Sequence, residues 1–395
     1  MPPRHHLALG LLFFSLACAE ASARRLAVPE IDTLPGGVVE VKNHGPTRWD
    51  DTTGWKLVET LRIGGGSGDS IVLNQPQSVA LDDLGRVYVA DDNPTVIKQF
   101  DADGRLIRTI GREGGGPGEF RVAFIAVHGA DLVVHDPRQA RTSVFDTSGT
   151  FKRSWSSLCC YWTSIVVDRE GRVYIPGMSP SDSGSLYVRY DLGGTGADSM
   201  YLPPRPRDDR HTWNFKSNGR MMMSMGIPNT PRTLEEVNPT GGFLIGTSSE
   251  YRIAVTGSGR DTTLVFSRDW TPDPIPASRR QAIVDSSIKE VSRMVGEDAA
   301  REEIQVDDIP STTPAFTGIA GDDRGNVWLQ TDPGADTAHT RFDVFDSTGA
   351  YLGQVAGPRG MLFWRTAWKG NSLVVAMEDA EGNPVVIRYR VAGGE

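Results

Sequence analysis

Four segments of the chain repeat one pattern, and that repetition narrows the possible folds more than any other feature. They are "SVALDDLGRVYVADDNPTVIKQFDADGRLIRTIG" (Ser78 to Gly111), "FIAVHGADLVVHDPRQARTSVFDTSGTFKRSWS" (Phe124 to Ser156), "SIVVDREGRVYIPGMSPSDSGSLYVRYD" (Ser164 to Asp191) and "FTGIAGDDRGNVWLQTDPGADTAHTRFDVFDSTGAYLGQVAG" (Phe316 to Gly357). Each reads as a short apolar strand, a tight turn, a second strand, a longer loop, a third strand ending in an aromatic, another turn and a fourth strand. Four strands in ~40 residues is the pattern of a propeller blade. One four-stranded sheet cannot bury both faces, so the blades must stack around an axis. Length alone would suggest two or three domains, but a repeat array needs only one ring.

Two more segments complete the count. "GGFLIGTSSEYRIAVTGSGRDTTLVFSR" (Gly241 to Arg268) supplies three strands, with "LEEV" upstream as the innermost. "WRTAWKGNSLVVAMEDAEGNPVVIRYRV" (Trp364 to Val391) supplies three strands before the chain ends, and "WKLVETLRIG" (Trp55 to Gly64) offers the missing fourth. The expected fold is therefore all-β: a six-bladed β-propeller of four-stranded blades over 55–391. An N-terminal strand completes the last blade and hides an edge that would otherwise invite aggregation.

The turns separate the two faces of the ring. "DDLG", "DREG" and "DDRG" (from Asp82, Asp168 and Asp322) follow first strands; "DADG", "DTSG" and "DSTG" (from Asp101, Asp146 and Asp346) follow third strands. Asp bonds nearby backbone amides and Gly takes the positive-φ position that ends such a turn, so these acids read as structural. The opposite face carries second-to-third loops and blade-to-blade crossovers, where the chain is longest and most irregular. Segment 203–231 is expected to form a hairpin-like insertion turning at Asn218-Gly219. Segment 276–305 is expected to form an amphipathic helix starting at Ala277-Ser278, with Ile283, Ile288, Val291 and Val295 on one side.

"GREGGGPGEF" (Gly111 to Phe120), followed by a new inner strand, resembles the linker of NHL-type repeats. The order of "NPTGGFLIG", "YRI", "PAFTGIAGDDRGNVWLQ" and "PVVIRYRV" resembles that of an exported bacterial six-bladed β-propeller family. The resemblance covers nearly everything after about Gly36 and implies the fold and export, but no particular reaction. Arg141 and Arg341 match an arginine of the repeat; Val96 stands where it would fall in the first blade.

The start of the chain points the same way. "MPPRHHLALGLLFFSLACAEASARR" has a basic start, a short apolar run and small-x-small cleavage sites, so 1–23 is expected to be a signal peptide and 24–54 an N-terminal extension. Cys18 also permits a lipid anchor. The expected location is periplasmic or extracellular, without a transmembrane helix. A net charge of -9 without a Lys/Arg-rich cluster argues against nucleic acid or an anionic membrane as partner.

Loops gathered on one face are where function is expected. The candidate ligand-binding residues there are Arg121, Arg141, Tyr161, Trp162, Trp213, Phe316, Trp364 and Arg365. They suit a pocket at the axis for a small organic, sugar or peptide ligand. Adjacent Cys159 and Cys160 read either as two small buried residues ending a strand or as a vicinal disulfide under Tyr161 and Trp162. Enzyme chemistry finds less support. A calcium site needs clustered oxygen donors where inner strands begin, but the chain has Gln77, Ala123, Thr163, Phe316 and Arg365. His128, His135, His211 and His339 lack zinc-ligand spacing and read as isolated surface or loop side chains. No catalytic residue, metal site or cofactor is recognised. The leading reading is an exported ligand-binding or protein-interaction propeller; the alternatives are a lyase or hydrolase with an unrecognised site, and a structural partner in an envelope complex.

Overall fold

The computed structural model describes residues 28–49, 54–66, 71–159, 164–177, 184–196, 198–203, 212–217, 220–257, 260–332, 334 and 338–393. The expected signal peptide, Cys18, Cys160, Tyr161, Trp162 and His211 lie outside them. Six four-stranded antiparallel blades form the ring. Their inner strands are Pro76–Leu81, Phe124–His128, Val166–Val167, Thr233–Val237, Gly318–Gly321 and Thr366–Lys369, for blades 1 to 6. The outer strand of blade 6 is Lys56–Gly64, antiparallel to Pro384–Ala392 from Lys56↔Ala392 to Gly64↔Val385. The first and last parts of the propeller are thus hydrogen-bonded into one sheet.

Alternation along the strands explains the ring. Side chains of a strand point alternately to its two faces, and here both faces are covered. Val79, Leu81, Val87 and Val89 of blade 1 pack with Val374, Ala376 and Val386 of blade 6. Their neighbours Ala80, Tyr88 and Ala90 pack instead with Ile125, Leu132 and Val134 of blade 2. Each fully buried Val or Leu side chain stabilises by about 1.5–3 kcal/mol relative to exposure.

The six Asp-x-x-Gly turns are built as expected. Asp82 Oδ1 accepts the amides of Leu84 (3.0 Å) and Arg86 (2.9 Å), and Gly85 closes the turn at φ 75°. Asp101, Asp146, Asp168, Asp322 and Asp346 accept the same pair of amides in their own turns. The second oxygens of Asp82 and Asp168 take Tyr88 (3.0 Å) and Tyr174 (2.9 Å) hydroxyls from the adjoining second strands.

The 3-to-4 and 4-to-5 crossovers combine into a cap with its own core. The hairpin Thr212–Ser217 and Arg220–Gly226 brings Trp213 and Phe215 against Val284, Ile288, Val291, Ala300 and Ile304. Its turn lies outside the described residues. The helical insertion is two helices, α1 (Ala277–Val295) and α2 (Glu297–Glu303). Gly296, at φ 89°, breaks what periodicity alone reads as one helix. Among the described residues no helix is long and apolar enough to cross a membrane.

The N-terminal extension is a strap. Glu30–Leu34 and Val38–Asn43 form a hairpin whose second strand pairs in parallel with Thr262–Arg268, making blade 4 a six-stranded sheet. Asn43 then donates to the carbonyls of Ser267 and Gly349 (both 2.9 Å) and accepts from Tyr351 N (2.7 Å). Trp49 N reaches Leu352 O of blade 5 (3.1 Å), and its ring lies 5.1 Å from Trp55, beside the closing strand.

Candidate functional site

The inner strands enclose a cavity of about 470 Å³ on the propeller axis. Small apolar side chains, Ala80, Ala126, Val166, Ala320 and Ala367, line its wall. It reaches Ser164 and Phe363 toward the crossover side. Charged and titratable lining residues gather toward the other end, where first strands turn: Asp83, His128, Arg169, Asp323 and Lys369.

Hydrogen bonds join these turns from blade to blade. Lys369 of blade 6 pairs with Asp83 of blade 1 at 2.9 Å. Gly370 N donates to Asp323 Oδ2 of blade 5 (2.9 Å). Arg169 of blade 3 donates its amide to Pro239 O of blade 4 and its guanidinium to Asp323 O of blade 5, each at 2.9 Å. That side chain therefore links blades 3 and 5 past the turn of blade 4.

Glu236 is the unusual group. It stands two residues before Asn238, the first residue of its turn, where blades 1, 3 and 5 carry Ala80, Val166 and Ala320. It is half-buried and lines the cavity. Among the described residues its one hydrogen bond comes from the adjacent amide of Val237 (3.2 Å). Burial pushes its carboxyl up to about 7, against the smaller opposing effect of that amide. Asp323 Oδ1 and Trp368 Nε1, on two other lining residues, are buried without a hydrogen-bond partner.

The residues expected to bind ligand fall in several places. Arg141 donates to the carbonyls of Gly115 (3.0 Å) and Glu119, so it braces the glycine-rich linker. Trp213 is buried in the cap and donates to Asp308 Oδ2 at 2.8 Å. Phe316 is buried between blades 4 and 5, 5.7 Å from Tyr251. Arg121 is exposed. Trp364 is partly exposed, with the Arg365 guanidinium 4.5 Å over its ring. Burial lowers the Arg365 pKa, and its Nε has no hydrogen-bond partner. Of these six none lines the cavity, although Phe363 in the same turn does.

Cys159 is exposed and disulfide-bonded, unlike a small buried strand end. The chain has 3 Cys, so its partner is Cys18 or Cys160, both outside the described residues. The histidines also depart from expectation. His135 is a core residue, 2% exposed, and His128 lines the cavity. Among the described residues no group of three or more His, Cys, Asp or Glu could hold a metal ion.

No protein-family model matches the chain, and no curated protein does. Solved structures match over most of its length. A member of the duf4221 family from Bacteroides vulgatus is 10% identical, with 87% of this chain and 100% of that one covered at a TM-score of 0.50. An exported protein from Bacteroides fragilis is 14% identical, with 89% and 99% covered at 0.47. A catalytically inactive virginiamycin B lyase from Staphylococcus aureus, solved with quinupristin, is 11% identical, with 85% and 99% covered at 0.40. The duf4221 structure agrees with the propeller architecture, and at such identities the likeness concerns fold alone.

Proposed function

We propose that the chain is an exported binding module that takes a small organic ligand into its central tunnel. The observation that carries this reading is the axial cavity of about 470 Å³, apolar along its wall and holding the isolated carboxyl of Glu236. Small-molecule sites fall at roughly 300–1,000 Å³ and combine apolar walls with a few polar groups. Export rests on the signal-like start of the sequence. The ligand face is then the first-strand turn side, opposite to the one the crossover loops suggest.

The test is a thermal-shift screen of the mature protein against sugars, peptides, organic acids and amines, repeated on Ala367→Phe, which narrows the tunnel. A ligand that stabilises the wild type and not the folded variant supports the reading. Stabilisation by no class, or equal stabilisation of both proteins, sinks it. An acid–base enzyme is the second reading, favoured by Glu236 itself, because a carboxyl poised near 7 suits proton transfer.

Within the binding reading, Cys160 is the disulfide partner of Cys159, stiffening the crossover that leads to Ser164 of the tunnel wall. Unfolded, non-reduced mature protein should then show no alkylatable thiol by mass spectrometry. Two alkylated cysteines would remove the pairing.

A further inference from the structure

We propose that the tunnel selects organic cations, seating a ligand ammonium against Glu236 and an apolar body along Ala80, Val166 and Ala320. This rests on the tunnel-binding reading and adds the ligand's chemical class. The inference comes from counting which lining groups are already engaged. Both side-chain cations of the lining are committed, Lys369 to Asp83 at 2.9 Å and Arg169 to the Asp323 carbonyl at 2.9 Å. An anionic ligand would compete with Asp83 for Lys369, and beside Arg169 it would still face the carboxyl groups of Glu236 and Asp323. Asp168 is also committed, to Arg172 (2.7 Å) and Tyr174 (2.9 Å).

What remains open to the tunnel is an acceptor, the Glu236 carboxyl, which receives one amide hydrogen bond; Asp323 Oδ1 and the donor Trp368 Nε1 are unpartnered but buried. An ammonium brings three donors and no acceptor, which complements such a lining. An alkyl or aralkyl amine therefore matches the polar groups as well as the apolar wall.

The same geometry makes binding depend on pH. The charged and titratable groups facing Glu236 from the other inner strands and turns are Asp83, His128, Asp168, Arg169, Asp323 and Lys369. Burial holds the Glu236 carboxyl up at about 7, so below that pH it is largely neutral. A cation then binds with loss of that proton to solvent, and its affinity rises as pH climbs through about 7. An aliphatic amine keeps its own charge throughout this range, as lysine does at ~10.4.

The experiment is calorimetric titration of the full mature protein with n-hexylamine, n-hexanol and hexanoate, over about pH 5 to 8 and in buffers of different ionisation enthalpy. Near neutral pH hexylamine should bind about tenfold or more tighter than hexanol, as expected for a hydrogen bond to a charged group. Its binding should release protons at acid pH. Glu236→Gln keeps the side-chain shape; it should abolish the amine preference and its pH dependence while hexanol still binds. Equal binding of hexylamine and hexanol, tighter binding of hexanoate, or an amine preference surviving in Glu236→Gln overturns cation selection and leaves tunnel binding standing. Binding of none of the three overturns both.

Discussion

Burial disfavours the charged forms of His135 and Glu236, and the two act on stability with opposite signs. His135 lies in the second strand of blade 2, with Nδ1 3.1 Å from Thr142 Oγ1. Burial lowers its pKa to about 4, against the weaker pull of the Asp136 carboxylate. The unfolded chain takes up this proton near 6.5 and the native state only near 4. The contribution of His135 is therefore complete above 6.5 and is lost as pH falls through about 4. Glu236 has a raised pKa, so its contribution is complete below 4.5 and is lost as pH rises through about 7. Each amounts to about 3 to 4 kcal/mol, at ~1.4 kcal/mol per pH unit of displacement. The windows overlap, so the two largely cancel in the wild type. His135→Asn should unmask a fall in stability as pH rises from about 4.5 to 7, followed by urea midpoint. Glu236→Gln should unmask the opposite slope, a loss on acidification. Identical pH profiles for the two variants would show that neither side chain is held as described.

At the scale of elements, the cap differs from the blades because its core is separate from theirs. Trp213 is its largest buried side chain, and the Trp213–Asp308 hydrogen bond ties the hairpin to the segment after α2. Trp213→Ala should cost about 3–5 kcal/mol locally, the usual range for deleting a buried aromatic. The expected readout is rapid proteolysis between residues 203 and 231 while the blades stay resistant. A cleavage pattern like the wild type's would mean that the hairpin stands without this anchor. The elements also show what could be read in advance. Blades were legible because a two-residue period and Asp-x-x-Gly turns recur locally, and both act within a few residues. The break at Gly296 was less visible, since apolar residues continue in helical register through Val295 and resume at Ala300. The described crossover residues expected to bind ligand do not line the axial cavity, for a related reason. Long aromatic crossovers drew attention, whereas their side chains serve packing, as Trp213 and Phe316 do. The informative signal was one carboxylate, Glu236, at a register where other inner strands carry Ala or Val.

The whole molecule is a ring whose closure and bracing both come from the first described residues, with partners over 200 positions away. Such pairings leave no local pattern, which explains why the strap could be read only as an extension. Two different jobs are involved. Lys56–Gly64 fills the outer position of blade 6, and Ile63 joins the core between blades 6 and 1. Residues before it brace blades 4 and 5 from outside: Val41 enters their shared core, Asn43 satisfies three backbone groups, and Trp49 packs beside Trp55. A protein beginning at Gly54 should therefore keep a closed ring and unfold cooperatively, but at a lower temperature. Burial of Val41 alone accounts for about 1.5–3 kcal/mol, and the lost Asn43 contacts add to it. A protein beginning at Gly66 also loses the closing strand, exposing the hydrogen-bonding edge of Pro384–Ala392 and opening the core between blades 6 and 1. It should unfold without a single sharp transition and self-associate, as judged by calorimetry and light scattering. Equal melting temperatures for the two truncations would contradict separate roles for strap and closing strand. A sharp transition at the wild-type temperature in the shorter protein would contradict closure itself.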